Sequence, residues 1–503
     1  MFPFFKSKKK KNTNKNEKKQ SFESVAKTAG KSADFKESHY KNPFTGAEFS
    51  LYFITTLIDP KILQEDVLPS LLSKEFHSID DLVTLVPILD IQISKKEEDI
   101  EQKLFNGYTL LKMNSGQSFA FIATKNELGR EVSQPEVEFS VVGPKEAFVE
   151  NLSDNINLVR RKLPIKELVV DEMNIGSMTH TRVALVYLDG LADKANVEIV
   201  KNRLQAIDFD QIMDSSFIEQ IIADNNYSPF PQLLDSERPD RVASVLAEGK
   251  IGIMVDGSPH VLIGPTTLVE FFSAYEDYFL NFSIASFFRL VRVFAVAFSV
   301  LITPVYVAAL TYHYELIPKD LTATLVTSRQ EVPLPPILEA LFLELTIELL
   351  REAGARLPTK VGQTIGIVGG IVIGTASVEA GITSNVLLIL VALAALASFT
   401  TPVYRMSNTI RILRFPFLLF AQLWGMLGIV FCFCILMGHL LQLTSLGRPI
   451  LEPIYPPRLK DLRDSLIRLP FSSQTQRPQF LRTQNPFRFS ETEGSKKKKD
   501  IDE

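Results

Sequence analysis

Residues 361–404 read VGQTIGIVGGIVIGTASVEAGITSNVLLILVALAALASFTTPVY, and this stretch decides the class of the chain. Its only ionisable side chain before Tyr404 is that of Glu379. A membrane-spanning helix needs about 20 mostly apolar residues to cross a hydrocarbon core of roughly 30 Å. The stretch is long enough for two such helices with a break near residues 379–383. We therefore interpret the rest of the chain as attached to a membrane.

Glycines recur at every fourth position in the first half of this stretch, and so fall along one face of a helix: Gly362, Gly366, Gly370 and Gly374. Small residues let helices approach closely in lipid, where hydrophobic burial contributes little to helix association. We predict that this face packs against another helix. The alternative is a glycine-tolerant membrane segment without a special partner. A phosphate-binding loop is not indicated, because the pattern G-x-x-x-x-G-K-[ST] is absent.

The apolar residues are concentrated in one part of the 503-residue chain. Residues 284–445 predict an α-helical transmembrane domain of four to six passes, whereas the preceding residues have the composition of soluble protein. The net charge of −4 averages these unlike regions and does not indicate a nucleic-acid partner. Cys432 and Cys434 share one apolar segment and the six histidines are scattered, so we predict no disulfide, metal site or cofactor.

Both ends of the chain are polar and rich in lysine. No apolar segment follows the lysines near Met1, so we predict no signal peptide and a cytoplasmic N-terminal region. Residues 1–42 predict a disordered basic arm, which either contacts anionic lipid headgroups or is simply solvated. Residues 446–470 predict a Pro/Arg-rich cytoplasmic segment, and residues 471–503 a disordered tail.

The soluble part predicts two cytoplasmic α/β subdomains, at residues 43–134 and 135–280. In the first, an α+β unit, we predict helices at 45–58, 61–73 and 95–104, a strand at 82–89, and a hairpin of strands 108–113 and 118–124. In the second we predict strands at 137–143, 182–190 and 250–257, and helices at 148–159 and 197–207.

Strands and helices alternate in the second subdomain, which predicts βαβ crossovers and a mostly parallel sheet. Loops after parallel strands are favoured ligand positions. Asp189 and Gly190, with Asp256 and Gly257, are therefore the best candidates for a ligand site in the soluble part. The alternative is that each Asp-Gly pair only forms a turn. No arrangement of residues indicates catalysis, and we do not expect an enzyme.

The first predicted span, residues 284–310, begins beside Arg289 and Arg292. Positive residues favour the cytoplasmic side, so this span should run from inside to outside. Pro304 removes a backbone hydrogen bond and should kink the helix.

The helix predicted at 337–358 carries carboxylates at Glu344, Glu348 and Glu352, spaced so that they share one face. Carboxylates within a membrane are costly unless they are paired or hydrated, and rings of carboxylates line cation channels. We therefore predict that these residues border an ion path. The alternative is an amphipathic helix lying on the membrane surface with its carboxylates in water.

The number of spans depends on this helix. If it crosses the membrane, Arg351 and Arg405 both fall inside, and residues 415–443 must form a tight hairpin to return the tail to the cytoplasm. If it lies at the surface, there are four spans and Arg405 faces outward. Charge alone does not choose between these topologies.

Several long blocks of this sequence resemble the A subunits of the GerA-type spore germinant receptors of endospore-forming bacteria. These blocks lie at residues 143–151, 157–163, 236–260, 264–265, 271–279, 287–292, 335–341 and 351–354. The resemblance covers residues 45 to 465 and leaves only the terminal tails outside it.

This resemblance implies a location in the spore inner membrane and work with a permease-like B subunit and a lipid-anchored C subunit. It also implies nutrient sensing that triggers release of monovalent cations. In such receptors the small-molecule pocket is generally placed in the B subunit, and the A subunit is thought to form a ring around an ion path. Two rival interpretations are a secondary transporter, which should contain broken helices and an internal repeat, and a non-conducting scaffold that binds a partner.

Overall fold

The computed structural model describes residues 22–488, except 115–117, 127–134, 136–137, 139, 358, 459–460, 462–464 and 466. The chain forms two compact units. The first contains Met1–Glu131 and Ser153–Glu172, and the second contains Val132–Leu152 and Met173–Glu503. The predicted boundary at 134/135 is therefore only approximate, because residues 153–172 belong to the first unit.

The first unit is built on five strands: β1 (Phe35–Lys41), β2 (Glu48–Ile54), β3 (Ile91–Ser94), β4 (Tyr108–Met113) and β5 (Phe119–Ala123). They form an antiparallel sheet in the order β1-β2-β4-β5-β3. The predicted hairpin is confirmed by β4 and β5, which pair from Tyr108 opposite Ala123 to Lys112 opposite Phe119. Two residues of its predicted turn, Ser115 and Gly116, lie outside the described residues.

Five helices accompany this sheet: α1 (Phe22–Ala29), α2 (Leu68–Ser73), α3 (Leu82–Leu85), α4 (Glu98–Leu104) and α5 (Leu152–Lys162). A π-helical turn, Ile62–Val67, leads directly into α2. The helices predicted at 61–73 and 95–104 are thus confirmed.

Four predictions for residues 22–143 are wrong. Residues 22–42 are not disordered but form α1 and β1. The predicted helix at 45–58 is replaced by β2, and the predicted strand at 82–89 begins with α3. Among the described residues of 137–143 there is no strand. Short apolar runs such as those in β2 and α3 do not distinguish a strand from a helix, which explains the two exchanged assignments.

The sheet of the first unit is buried on both faces. Neighbouring residues of β2 enter different apolar clusters, Leu51 on one face and Tyr52 on the other. Asp34 adds a buried ion pair with Arg160, whose Nε and Nη2 each donate a hydrogen bond of 2.6 Å to the carboxylate. Burial raises the pKa of Asp34, but the charge of Arg160 and these hydrogen bonds together hold it below its usual value.

The second sheet contains β6 (Leu168–Ile175), β7 (Thr181–Leu188), β8 (Leu234–Ser236), β9 (Ile251–Val255) and β10 (Val261–Gly264), in the order β6-β7-β9-β10-β8. The helices of this subdomain are α6 (Lys194–Gln205), α7 (Ser215–Ile222) and α8 (Pro239–Glu248). The strands predicted at 182–190 and 250–257 and the helix at 197–207 are confirmed.

The prediction of a mostly parallel sheet is wrong. β7 pairs antiparallel with β9, β9 with β10, and β10 with β8. A single crossover helix would have returned the chain in the parallel direction. Between β7 and β9, however, lie three helices and β8, and alternation in the sequence does not fix the strand direction across so long a connection.

The helical part of the second unit contains α9 (Phe282–Thr311), α10 (Lys319–Arg329), α11 (Pro336–Arg356), α12 (Thr359–Glu379), α13 (Asn385–Ser398) and α14 (Tyr404–Gln442). Two of these helices, α9 and α14, are long and apolar enough to cross a membrane. Pro304 lies inside α9, and the kink predicted there stays a prediction.

Helix α14 folds back on itself at Trp424 and Gly425, where the backbone leaves the helical conformation. The rings of Phe420 and Phe431, on opposite sides of this break, lie 5.8 Å apart. Gly425 has φ +60°. A Cβ at Gly428 would lie 1.9 Å from the carbonyl oxygen of Phe420, so only glycine fits this close approach. We call residues 404–423 the first leg and residues 426–442 the second leg of this hairpin.

Both ends of α14 lie beside the second soluble subdomain, because Thr409 hydrogen-bonds to Pro229 and His439 to Ser228. We call this end of the helical part the soluble side. The break in α14 lies at the opposite end, which we call the far side, where Tyr312 donates a hydrogen bond of 2.8 Å to the carbonyl of Gln422.

The C-terminal segment completes the second soluble subdomain. Two short strands, β11 (Thr444–Ser445) and β12 (Arg448–Pro449), follow α14, and Leu446 between them belongs to the apolar core of the subdomain. Further along, Phe480 and Leu481 are buried. The prediction that residues 471–503 are disordered is therefore wrong for 471–488, while 489–503 lie outside the described residues.

Candidate functional site in the helical part

The predicted acidic face lies on α11. Pro335 and Pro336 begin this helix, and proline at the first helical position is favourable because no hydrogen bond is lost there. The i, i+4 spacing then aligns the three predicted carboxylates. The structure gives each of them a different environment.

Glu344 is buried at the centre of the helical part. Its carboxylate accepts a hydrogen bond of 2.9 Å from Nη1 of Arg414 and one of 3.2 Å from Oγ1 of Thr303. Arg414 also donates to Oγ of Ser299 and to the carbonyl of Ala394, at 2.6 and 2.9 Å. Both charged side chains are 2% exposed. This cluster joins four helices, α9, α11, α13 and α14.

Glu348 and Glu352 also have arginine partners. Glu348 pairs with Arg351 on its own helix, and Nε of Arg411 lies 3.9 Å from its carboxylate. Glu352 accepts a hydrogen bond of 2.9 Å from Nε of Arg356 and is largely exposed. Each carboxylate of the acidic face therefore has an arginine partner. That these carboxylates border an ion path remains a prediction.

A fourth carboxylate on α11, Glu339, was missed in the sequence. It is fully buried, 2.8 Å from Nη2 of Arg329, and it accepts a hydrogen bond of 3.2 Å from the backbone N–H of Ser384 at the start of α13. Negative charge is favourable at a helix N-terminus. Glu339 lies outside the i, i+4 series of Glu344, Glu348 and Glu352, so a search for one shared helix face does not find it. An acidic side chain in the first turn of an apolar helix is the signal in the sequence that could have found it.

These contacts fix the direction of each helix. Glu339 lies near Ser384, whose hydroxyl is within 3.3 Å of Tyr306 near the far end of α9. At the other end of α11, Arg351 donates a hydrogen bond of 3.2 Å to Asn408 on the first leg. Helix α11 therefore runs from the far side to the soluble side. Helix α13 runs the same way, because the carbonyl of Ser398 at its end accepts a hydrogen bond from Ser407.

The predicted glycine face of α12 is not closely packed within the chain at Gly370 and Gly374, the two positions whose surroundings the structure describes. A Cβ at Gly370 would meet no atom within 4 Å, and one at Gly374 would lie 3.7 Å from Leu388. The surroundings of Gly362 and Gly366 lie outside the described residues. Close contact within the chain occurs instead at the neighbouring Gly369, where a Cβ would lie 2.9 Å from Leu350. Packing of the predicted face against another helix stays a prediction.

The Asp-Gly candidates of the soluble part are not brought together. The register of β7 and β9 puts Val183 opposite Val255 and Val186 opposite Gly252. Asp189 follows the end of β7 and Asp256 follows the end of β9, so antiparallel pairing places them at opposite ends of the sheet. Gly190 and Gly257 have φ +77° and +88°, as turn residues do.

Asp256 has a structural partner, since its carboxylate accepts a hydrogen bond of 3.0 Å from the backbone N–H of Leu152. The antiparallel pairing thus removes the physical reason for a shared ligand site. Within the described part of the chain, no group of three or more His, Cys, Asp or Glu residues could hold a metal ion.

Among the described residues, two five-stranded sheets thus precede a helical part in which two apolar helices have the length and composition to cross a membrane. Residues 23–480 match the Bacillus/Clostridium GerA spore germination protein family, and the chain belongs to this family. The resemblance noted in the sequence is thereby confirmed.

The chain is similar to individual proteins over most of its length. It is 52% identical to spore germination protein GerQA of Bacillus cereus, over 89% of this chain and 90% of that protein. It is 35% identical to the uncharacterized membrane protein YfkQ of Bacillus subtilis (strain 168), over 85% and 84% of the two chains. The crystal structure of the N-terminal domain of the A subunit of the Bacillus megaterium spore germinant receptor GerK3 aligns with TM-score 0.37 and 28% identity, over 48% of this chain and 91% of that chain.

Proposed function

We propose that this protein is the A subunit of a nutrient germinant receptor in the spore inner membrane. It works with a permease-like B subunit and a lipoprotein C subunit, and it forms a homo-oligomer that conducts monovalent cations when nutrient is sensed. Membership of the GerA family is the observation that carries this proposal.

The path of the helices supports six passes. Helix α9 leads away from the soluble side, α11 returns, α12 leads out and α13 returns. The two legs of α14 complete the series. The first leg has 20 residues by its bounds, close to the roughly 20 that a span requires. This is the topology in which the helix at 337–358 crosses the membrane and the last apolar block forms a tight hairpin.

Charge supports a cytoplasmic soluble side. Arg292, Arg351 and Arg405 all lie toward this side, and positive residues are enriched on the cytoplasmic side of membranes. Thiol labelling tests the topology in a variant without Cys432 and Cys434. An impermeant reagent added outside should label Tyr314→Cys on the far side and spare Tyr455→Cys, both positions being exposed.

The glycine face supports assembly. Helix α12 packs mainly against α11, and Gly370 faces open space. Small residues on an uncovered helix in lipid permit close approach of a second helix. In the proposed oligomer this second helix belongs to another copy of the chain, and the carboxylates of α11 lie next to the ion path.

A non-conducting scaffold is the second candidate. It is favoured by the pairing of Glu339, Glu344, Glu348 and Glu352 with arginines, because paired carboxylates attract cations less than bare ones do.

Potassium flux distinguishes these functions. The protein is reconstituted in liposomes, alone and with its B and C subunits, and flux is measured with and without nutrient. Gly370→Leu should abolish nutrient-dependent flux, whereas Gly438→Leu, at another glycine with open space around it, should not. A verified, nutrient-binding complex without flux would establish the scaffold and refute the channel.

A further inference from the structure

The loop between α7 and β8 contacts both legs of α14. We call residues 223–232 the bridging loop. The carbonyl of Pro229 accepts a hydrogen bond of 2.5 Å from Oγ1 of Thr409 on the first leg. Oγ of Ser228 lies 2.9 Å from Nε2 of His439 on the second leg, and the ring of Phe230 lies 5.9 Å from the same imidazole. Two adjacent residues of one loop thus hold two antiparallel legs.

An ion pair strengthens the contact with the first leg. Glu219, near the end of α7, accepts a hydrogen bond from Arg405 at the start of α14. Nε of the same arginine lies 3.6 Å from Asp235 on β8. The guanidinium of Arg405 therefore lies close to two carboxylates of the soluble subdomain.

The second leg is also fixed where it ends. Asp224 in the bridging loop accepts hydrogen bonds from the hydroxyl of Thr444 and, at 2.8 Å, from the backbone N–H of Gly447. The soluble subdomain consequently holds each end of the α14 hairpin with a carboxylate.

Hydrogen bonds close the base of the bridging loop, and its tip is exposed. Gln232 is buried and closes the base by exchanging hydrogen bonds of 3.0 and 2.6 Å with the backbone of Asn225. Tyr227 near the tip is 99% exposed. A cavity of about 380 Å³ lies against the loop, lined in part by Glu219, Phe230 and Arg405.

We propose that the bridging loop, together with Glu219, is a latch that couples the soluble subdomain to the α14 hairpin, and that opening of the helical part requires its release. Because the loop contacts both legs, a change in their separation must break the contact at Thr409 or the one at His439. The soluble subdomain thereby controls the hairpin through contacts that are polar, few and close together. The control of opening rests on the proposed function, whereas the latch itself rests on these contacts.

The raised pKa of the Glu219 carboxyl supports a latch that can be released. Burial raises the pKa of the Glu219 carboxyl to about 7, with Asp235 and Asp214 adding repulsion, although Arg405 acts in the opposite direction. The folded subdomain therefore favours the neutral carboxyl, and loss of its proton weakens the contact as the pH rises through 7.

Hydrogen exchange tests the latch without any receptor activity. In the purified full chain, Arg405→Gln should speed amide exchange in residues 223–232 and 405–410 together by about tenfold or more. Tyr227→Ala in the same loop should leave both unchanged. Exchange that rises in only one of the two segments, or in neither, would overturn the latch.

Crosslinking tests the need for release. In a variant without Cys432 and Cys434, Ser228→Cys and His439→Cys are joined by a short bis-maleimide. The crosslinked receptor should lose its nutrient response at least tenfold relative to each single-cysteine variant treated in the same way. A full response from the crosslinked receptor, or no crosslinking at all, would overturn the proposal. If the wild-type receptor showed no nutrient response, the proposed function would fail, and the exchange result would still decide whether the latch exists.

Discussion

The ion pair between Glu344 and Arg414 makes the sharpest prediction for stability. At 2.9 Å and an effective dielectric constant of about 20, the attraction between the two charges is about 6 kcal/mol. In Glu344→Gln the amide oxygen still accepts a hydrogen bond from Arg414, but the buried Arg414 charge loses its counter-charge and keeps only neutral partners, among them Ser299 and the carbonyl of Ala394. Breaking one side of a buried pair typically costs about 3–5 kcal/mol.

Thermal unfolding of the purified full chain measures this cost. A loss of about 3–5 kcal/mol should lower the melting temperature by roughly 5 °C or more. Glu352→Gln is the matched control, because it removes an exposed carboxylate from the same helix and should leave the melting temperature unchanged. Glu344→Gln/Arg414→Met should recover much of the loss, since no unpaired charge remains.

A Glu344→Gln protein that melts within about 1 °C of wild type would refute this reasoning. It would mean that Arg414 reaches water or another anion, as it would if the cluster faced an ion path. The assay therefore also separates a structural carboxylate from a conducting one. In the proposed channel, a structural Glu344 predicts that folded Glu344→Gln receptors keep the wild-type cation selectivity.

The hairpin of α14 predicts that Gly428→Ala disrupts the fold, because its methyl group would lie 1.9 Å from a backbone oxygen, whereas Gly370→Ala should melt like wild type when the chain is monomeric in detergent. In the first unit, Asp34→Asn leaves Arg160 buried without its carboxylate and should lower the free energy of unfolding by about 3–5 kcal/mol, measured by denaturant titration. For pH, the folded-state pKa of Glu219 is about 7 against an ordinary 4.5. The stabilisation that the protonated Glu219 gives to the folded state is therefore fully present below about pH 4.5. About 3 kcal/mol of the free energy of unfolding is lost as the pH rises from 4.5 through 7. After correction for the intrinsic, base-catalysed rise of exchange with pH, the protection of the bridging-loop amides should fall over this range in wild type but not in Glu219→Gln, and equal protection profiles would contradict the assignment.

The sequence predicts those features of this fold that depend on local pattern. The β4–β5 hairpin follows from alternating residues around a turn. Short apolar runs are different, since β2 and α3 each fit a helix or a strand until tertiary packing selects one.

The candidate site depends on long-range contacts that no local pattern contains. The spacing of Glu344, Glu348 and Glu352 correctly predicts a shared helix, but the partner of Glu344 lies 70 residues away on another helix. The Asp-Gly loops failed for a related reason. Their convergence required parallel strands, and strand direction is set by the whole connection between β7 and β9.

The placement of the C-terminal segment has a consequence for biosynthesis. Leu446 fills an apolar site in the core of a subdomain whose sheet is made before α9, and the buried ring of Phe480 lies against Lys250 of the same subdomain. During translation the core of this subdomain therefore stays incomplete until the whole helical part has been synthesised. A ribosome that stalls within α14, or a hairpin that fails to turn at Gly425, leaves this site empty and its apolar lining exposed to chaperones and proteases. The soluble core is therefore complete only after the helices have been made and the C-terminal segment has returned to it.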